Sequence, residues 1–166
     1  MNTIFDPSVL QIGNCEPVYL KLEQDPFWLP SINEKFDVQF NLQNSVYPSI
    51  EFSNILVLVR VEATAMSTGQ NVVGLYSSIF RFVFSCPSLK DYSEIDNNGL
   101  IVNMHQLLHS SVVRLSLSSV RGLLRGVYAN TIFAPYLLPM LTPQQVAGIE
   151  QVDIEWLNSL YTKKGA

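Results

Sequence analysis

Residues 103–143 read NMHQLLHSSVVRLSLSSVRGLLRGVYANTIFAPYLLPMLTP, and this stretch decides the fold. Neither Gly nor Pro interrupts Met104 to Arg121, while apolar residues recur at Val113, Leu117, Val120, Leu124 and Val127. Steps of four, three, four and three residues are the period of an α-helix. A second apolar set, Leu108, Val112 and Leu115, lies beside the first. A helix apolar over so much of its circumference is buried on two sides, here one on a sheet and the other on a partner subunit. Asn103 is the expected N-cap. The stop is expected between Tyr128 and Asn130, since Asn tolerates the left-handed conformation that ends helices. The long helix thus covers about 103–128. A second start signal follows, with Thr142 as N-cap, Pro143 at the first helical position and Gln145 in a capping box. Val146, Ile149, Val152, Trp156 and Leu160 then recur at helical spacing and predict a last helix over 143–161.

Upstream of the long helix the period changes from 3.6 to 2. Residues 9–22 alternate around Val18, Leu20 and Leu22, and the prolines of Asp25-Pro26 and Leu29-Pro30 mark a connection. Phe36, Val38, Phe40 and Leu42 alternate with Asp37, Gln39 and Asn41, the pattern of a half-buried strand. Tyr47-Pro48-Ser49 is either a turn or a bulge in one longer strand. Residues 55–64 (ILVLVRVEAT) form the strongest strand, residues 67–71 a polar hairpin loop, and residues 72–84 the returning strand. Connections this short exclude crossover helices, so the simplest arrangement is an antiparallel meander over about 8–84. Residues 85–102, with Asp91, Glu94 and Asp96-Asn97-Asn98-Gly99, are expected to be a solvated connection. The order β-β-β-β-α-α gives an α+β fold, a single domain over 1–166 with both helices packed on one face of a four-stranded antiparallel sheet.

Composition narrows the function classes. Only 14% of the 166 residues are charged and 48% are hydrophobic, so apolar surface must be buried in oligomer contacts or in a binding groove. The formal charge of −4 argues against nucleic acid as the main partner. Residues 1–6 carry an acid and no basic region, and no run approaches 18 uncharged apolar residues, so neither signal peptide nor membrane insertion is expected. Cys15 and Cys86 are far apart and form no CxxC pair, which suits reduced thiols and a cytoplasmic location.

No catalytic or metal-binding constellation stands out. His105 and His109 share one helical face, but without a third ligand they predict a polar patch rather than a metal site. Arg114, Arg121 and Arg125 also share a face, suited to hydrogen bonds across a subunit contact or to an acidic partner. Ser110, Ser111, Ser116, Ser118 and Ser119 accompany no GxSxG elbow, and small hydroxyl residues allow close helix packing. Gly122 and Gly126 lie within the helical pattern and cannot be a phosphate loop. The expectation is a protein that is not an enzyme and uses no cofactor. More informative is APYLLPML at 134–141, an apolar, proline-stiffened segment that a simple interhelical turn does not require. It serves either as a core-covering connection or as the wall of an apolar groove, with Met140 as an adaptable contact.

The segment SSVRGLLRGVYANTIFAPYLLPMLTP (118–143) resembles the carboxy-terminal half of the SecB protein-export chaperones, through Arg121-Gly122, Thr131, Leu138-Pro139 and Thr142-Pro143. LVLVRVEATA (56–65) and its returning strand resemble the central hairpin of that family. The resemblance implies a four-stranded antiparallel sheet with two helices, assembled as a dimer of dimers through the long helices. On this chain that contact falls on Val113, Leu117, Val120, Arg121 and Leu124. It further implies an ATP-independent holdase that binds non-native polypeptides in apolar grooves and hands them to the SecA motor for export. Phe36, Val38, Phe40, Phe133, Tyr136, Leu137, Leu138, Met140 and Trp156 are the implied groove residues. In place of the acidic tail that helps engage SecA, this chain has the basic YTKKGA (161–166), so a holdase is expected ahead of an export factor. Two other classes remain: an adaptor of the same fold dedicated to one partner such as an antitoxin, and a small-molecule binding protein with an enclosed pocket.

Overall fold

The computed structural model describes residues 5–24, 36–69, 71–129, 131–140 and 145. Four long strands, β1 (Gln11–Gln24), β2 (Asp37–Ser49), β3 (Asn54–Met66) and β4 (Val72–Ser85), form one antiparallel sheet in the order β1-β4-β3-β2. The alternation in β3 is strict. Ile55, Val57, Val59, Val61, Ala63 and Ala65 are fully buried toward the helix, while Arg60, Glu62 and Thr64 point to the other face. Val57 sits between Val46 of β2 and Phe82 of β4, and Val59 between Asn44 and Phe80. The core is therefore built of β-branched and aromatic cross-strand neighbours, the pairs that stabilise a sheet most.

The expected meander holds only for β2-β3-β4. β1 lies beside β4, with Leu22 opposite Tyr76 and Pro17 opposite Phe80, so β1 and β2 occupy opposite edges of the sheet. Short hairpins flank β3 on both sides, leaving β1 only the outer edge of β2 or of β4. The residues between β1 and β2 are too many for a tight turn and can carry the chain across the sheet. Tyr47-Pro48-Ser49 does not break β2, because Pro48 pairs with Ile55 on an edge strand, where a missing N–H is tolerated. The reversal falls at residues 50–53, where Ser53 adopts φ 47° and its N–H donates to the Ile50 carbonyl at 3.1 Å.

Residues 85–102 depart from the solvated connection that their polarity suggests. Cys86, Leu89 and Tyr92 are buried, a 3-10 turn spans Leu89–Tyr92, and β5 (Ser93–Ile95) pairs with β6 (Ile101–Met104). Two apolar anchors outweigh a polar majority when the backbone can satisfy itself in a small hairpin. The Asp96-Gly99 loop is as expected: Asp96 Oδ1 accepts from the N–H groups of Asn98 (2.9 Å) and Leu100 (2.8 Å), and Gly99 takes φ 81°.

Helix α1 (Gln106–Tyr128) starts two residues later than Asn103 as its cap would place it. Asn103 belongs to β6, and the cap is His105, whose Nδ1 accepts from the Leu107 N–H at 3.3 Å. The His105 ring also stacks on Phe5 and meets Tyr92 edge-on, so it is a structural cap rather than part of a ligand set with the exposed His109. The helix ends as expected after Tyr128. Its buried stripe comprises Leu108, Val112, Val113, Ser116, Leu117, Val120, Leu124 and Tyr128. Val113, Leu117, Val120 and Leu124, the expected subunit contacts, are thus core residues of this chain. Arg121 is half-exposed beside them. Crossing a twisted sheet makes the buried stripe drift around the helix, so Leu108 and Val112 of the second apolar set face inward with the first, and Leu107, Leu115 and Leu123 remain outside. The last helix expected over 143–161 lies outside the described residues. Leu124→Ala is expected to lower unfolding free energy by about 2–5 kcal/mol, and Leu100→Ala, on an exposed loop, by less than about 0.5 kcal/mol. Chemical denaturation followed by circular dichroism measures both.

Candidate functional site

After α1 the chain turns back over the sheet as residues 131–140. The Thr131 hydroxyl donates to the Tyr128 carbonyl (3.0 Å) and accepts from the Phe133 N–H (3.1 Å), reversing direction without glycine. The Ala134 N–H to Thr131 carbonyl bond (3.0 Å) and the Tyr136 N–H to Phe133 carbonyl bond (2.9 Å) continue the turn. These bonds push Ile132 and Phe133 inward and leave Ala134 and Pro135 outside.

Ile132 seats on Gly74 of β4. A Cβ at Gly74 would come within 2.2 Å of Ile132 Cδ1 and 3.2 Å of its Cγ1, so the absence of a side chain there lets the segment reach the sheet. Beside it, three rings pack together. Tyr76 and Tyr128 meet edge-to-face at 4.9 Å, and Phe133 lies 5.5 Å from Tyr128 and 6.4 Å from Tyr76. Both tyrosines are only 1% exposed; among the described residues the Tyr128 hydroxyl finds no hydrogen-bond partner, and the Tyr76 hydroxyl has only Ser78 beside it. Burial pushes both phenols to higher pKa, and for Tyr128 the neighbouring Tyr76 adds to the effect. An unpartnered buried hydroxyl costs about 1–3 kcal/mol. Nothing in the sequence signals this pair, since strand and helix periodicity each account for one tyrosine and neither reveals that they meet.

The far end of the segment is tied to β2. Tyr136 Oη donates to the Phe36 carbonyl at 2.9 Å. Leu138 turns inward, while Leu137 (46%) and Met140 (82%) face solvent. The structure thus divides the expected groove residues. Phe133 and Leu138 are themselves buried, because an apolar face left bare by the helix is covered most cheaply by the next residues of the same chain. Phe36, Val38 and Phe40 are half-buried at the β2 edge, where Tyr136 is bonded to the Phe36 carbonyl, while Met140 lies by the helix. Trp156 lies outside the described residues. A small cleft of about 140 Å³ separates Leu138, Pro139 and Met140 from Leu117 and Ser118, with Arg114 and Arg121 at its rim.

The opposite sheet face has a different character. Leu58 and Ile79 are buried there under Val18, Tyr19, Tyr47 and Leu56. Around them the charges compensate: Lys21 pairs with Glu23 (2.6 Å), Arg60 with Glu62 (2.5 Å) and Arg81 with Glu16. Asn41 donates to Glu62 at 3.1 Å, and Arg60 to Gln43 at 3.3 Å. A depression of about 520 Å³ on this face is lined largely by these already-partnered groups. Among the described residues no three His, Cys, Asp or Glu side chains converge on a metal position, and no helix is long and apolar enough to cross a membrane. β1 exposes Ile12, Leu20 and Leu22 on the helix side, opposite Phe84, Ser78 and Tyr76, and among the described strands its outer edge is unpaired.

No protein-family model and no curated protein matches the chain. A solved structure does: the SecB-like chaperone Rv1957 of Mycobacterium tuberculosis, in complex with a ChAD peptide from the Rv1956 HigA1 antitoxin. The match has a TM-score of 0.53 at 12% identity and covers 81% of this chain and 92% of that one. The fold is SecB-like. The four-stranded antiparallel sheet followed by a long helix is consistent with that fold, while at this identity the side chains of the two proteins are free to differ.

Gly74→Ala is expected to cost about 1–3 kcal/mol by overpacking against Ile132. The double variant Gly74→Ala/Ile132→Val, which removes the clashing Cδ1, is expected to recover more than half of that loss in the same denaturation experiment.

Proposed function

We propose that the protein is an ATP-independent holdase that binds non-native polypeptide segments along the apolar strip formed by β2 and residues 131–140. The observation that carries this reading is the half-buried apolar row of β2, an edge strand whose outer backbone is open among the described residues, with residues 131–140 tied to it through Tyr136 and exposing Leu137 and Met140. An extended client can add to such an edge through its main chain and bury apolar side chains against the strip, gaining roughly 25 cal/mol per Å² before ordering costs. Met140 suits a site that accepts varied sequences, because its unbranched thioether adapts to different shapes. The work is binding alone, without a catalytic step or cofactor.

Support for a polypeptide partner comes from the structural match, a SecB-like chaperone holding an antitoxin peptide. The same match favours a dedicated client such as an antitoxin over export through the SecA motor. A homo-oligomer, a dimer of dimers in the cytoplasm, completes the proposal. Its contacts are the outer side of α1, where Leu107, Leu115 and Leu123 are exposed, and the helix-side residues of β1.

The deciding experiment follows aggregation of an unrelated denatured protein with and without the purified chain, with particle mass measured on the same sample. Suppression at near-stoichiometric ratio supports a general holdase. A clean oligomer that leaves aggregation unchanged supports the dedicated adaptor. Met140→Asp and Leu137→Asp are expected to weaken suppression about tenfold while melting temperature stays within about 2 °C, because both side chains are exposed. Leu115→Asp is expected to reduce the particle mass.

A further inference from the structure

The segment 131–140 is held against the rest of the chain in an uneven way. Ile132 and Phe133 occupy seats on Gly74 and the tyrosine pair, yet in that pair the Tyr128 hydroxyl has no hydrogen-bond partner among the described residues and the Tyr76 hydroxyl has only Ser78 beside it. At the other end, the Tyr136 side chain makes one part-buried hydrogen bond to the Phe36 carbonyl, and the neighbouring Leu137 and Met140 are exposed. Apolar complementarity is satisfied while polar complementarity is not.

We propose that residues 131–140 are a displaceable strap occupying part of the client seat, and that the Tyr76 and Tyr128 hydroxyls beneath it hydrogen-bond the main chain of the polypeptide segment that replaces it. This rests on the holdase reading and deepens it. The occupant is an extended segment of non-native polypeptide carrying a bulky apolar side chain. Two features of the structure specify that chemistry. The seat is already filled by polypeptide, with Ile132, Phe133 and Leu138 turned into it. Two phenol donors on an otherwise apolar floor suit carbonyl oxygens, which every polypeptide presents regardless of sequence. The two states then differ in what each satisfies. In the strapped state, Phe133 covers the tyrosines, the Tyr128 hydroxyl stays unpaired and the Tyr76 hydroxyl has only Ser78 beside it. In the client-bound state, the strap loses the Tyr136 bond and the hydroxyls gain partners. A buried donor left unpaired in one state and paired in the other favours the second, so the strap holds the site closed without sealing it.

Three conservative variants test this: Tyr136→Phe, Tyr76→Phe and Tyr128→Phe. The probe is a fluorescein-labelled, reduced and alkylated disulfide protein that cannot refold. Tyr136→Phe frees the strap, and the expected results are affinity tighter by about three- to tenfold, the range of one net hydrogen bond, and faster amide exchange at Ala134 and Tyr136. Tyr128→Phe removes a hydroxyl that finds no partner among the described residues, and Tyr76→Phe one that has only Ser78 beside it. The expected result is an unchanged or raised melting temperature together with affinity weaker by about three- to tenfold for each. Lowered melting temperature with unchanged affinity in both floor variants makes the hydroxyls structural and overturns the proposal. Weaker binding by Tyr136→Phe makes the segment a wall rather than a strap and does the same. Wild-type protein that fails to bind the probe overturns the holdase reading itself, a result distinct from wild-type binding that the three variants leave unchanged.

Discussion

The structure depends on how one helix covers the apolar face of a wider sheet. Four strands at about 4.8 Å spacing span roughly 14 Å between the outer two, whereas a helix with its side chains is about 10–12 Å across. α1 therefore seals β3 and the adjoining parts of β2 and β4, and its stripe from Leu108 to Tyr128 is spent on that contact. What it leaves uncovered defines the rest of the molecule. Beyond the end of the helix the chain folds back and seats Ile132, Phe133 and Leu138 itself. Along β1 no described residue takes that role, and Ile12, Leu20 and Leu22 stay in contact with water.

The two uncovered regions differ in their fitness for binding. The β1 side is a long edge strand with apolar side chains, the kind of surface that another copy of a chain covers with little adaptation. The 131–140 side is smaller and already occupied, with the Tyr128 hydroxyl under it unpaired among the described residues. A fully satisfied covering would be a permanent part of the core; an incompletely satisfied one can be exchanged at low cost. The exposed Leu137 and Met140 extend the same strip outward, so a binding reading requires no rearrangement of the sheet.

The opposite face shows how an outward surface is kept from competing. Its buried pair, Leu58 and Ile79, is small, and its carboxylates at Glu16, Glu23 and Glu62 each face a cation. Exposed pairs of this kind add little stability, but they leave the face without a strong field of either sign.

Alternation in residues 55–64 and 72–84, the polar hairpin loop between them, and the helical period through Leu124 were legible in the sequence because each reports on the chain's nearest neighbours. The groove segment was legible as unusual, through its prolines and its likeness to SecB chaperones, but whether it formed an open wall or a filled seat was not. The position of β1 beside β4, the buried anchors Leu89 and Tyr92 within a polar connection, and the His105 cap were decided by tertiary contacts. So were the inward turn of Val113, Val120 and Leu124 and the meeting of Tyr76 with Tyr128. The physical reason is common to all of them. Periodicity determines which residues share a face, but what that face meets depends on the twist of the sheet and on residues that lie dozens of positions away in the chain.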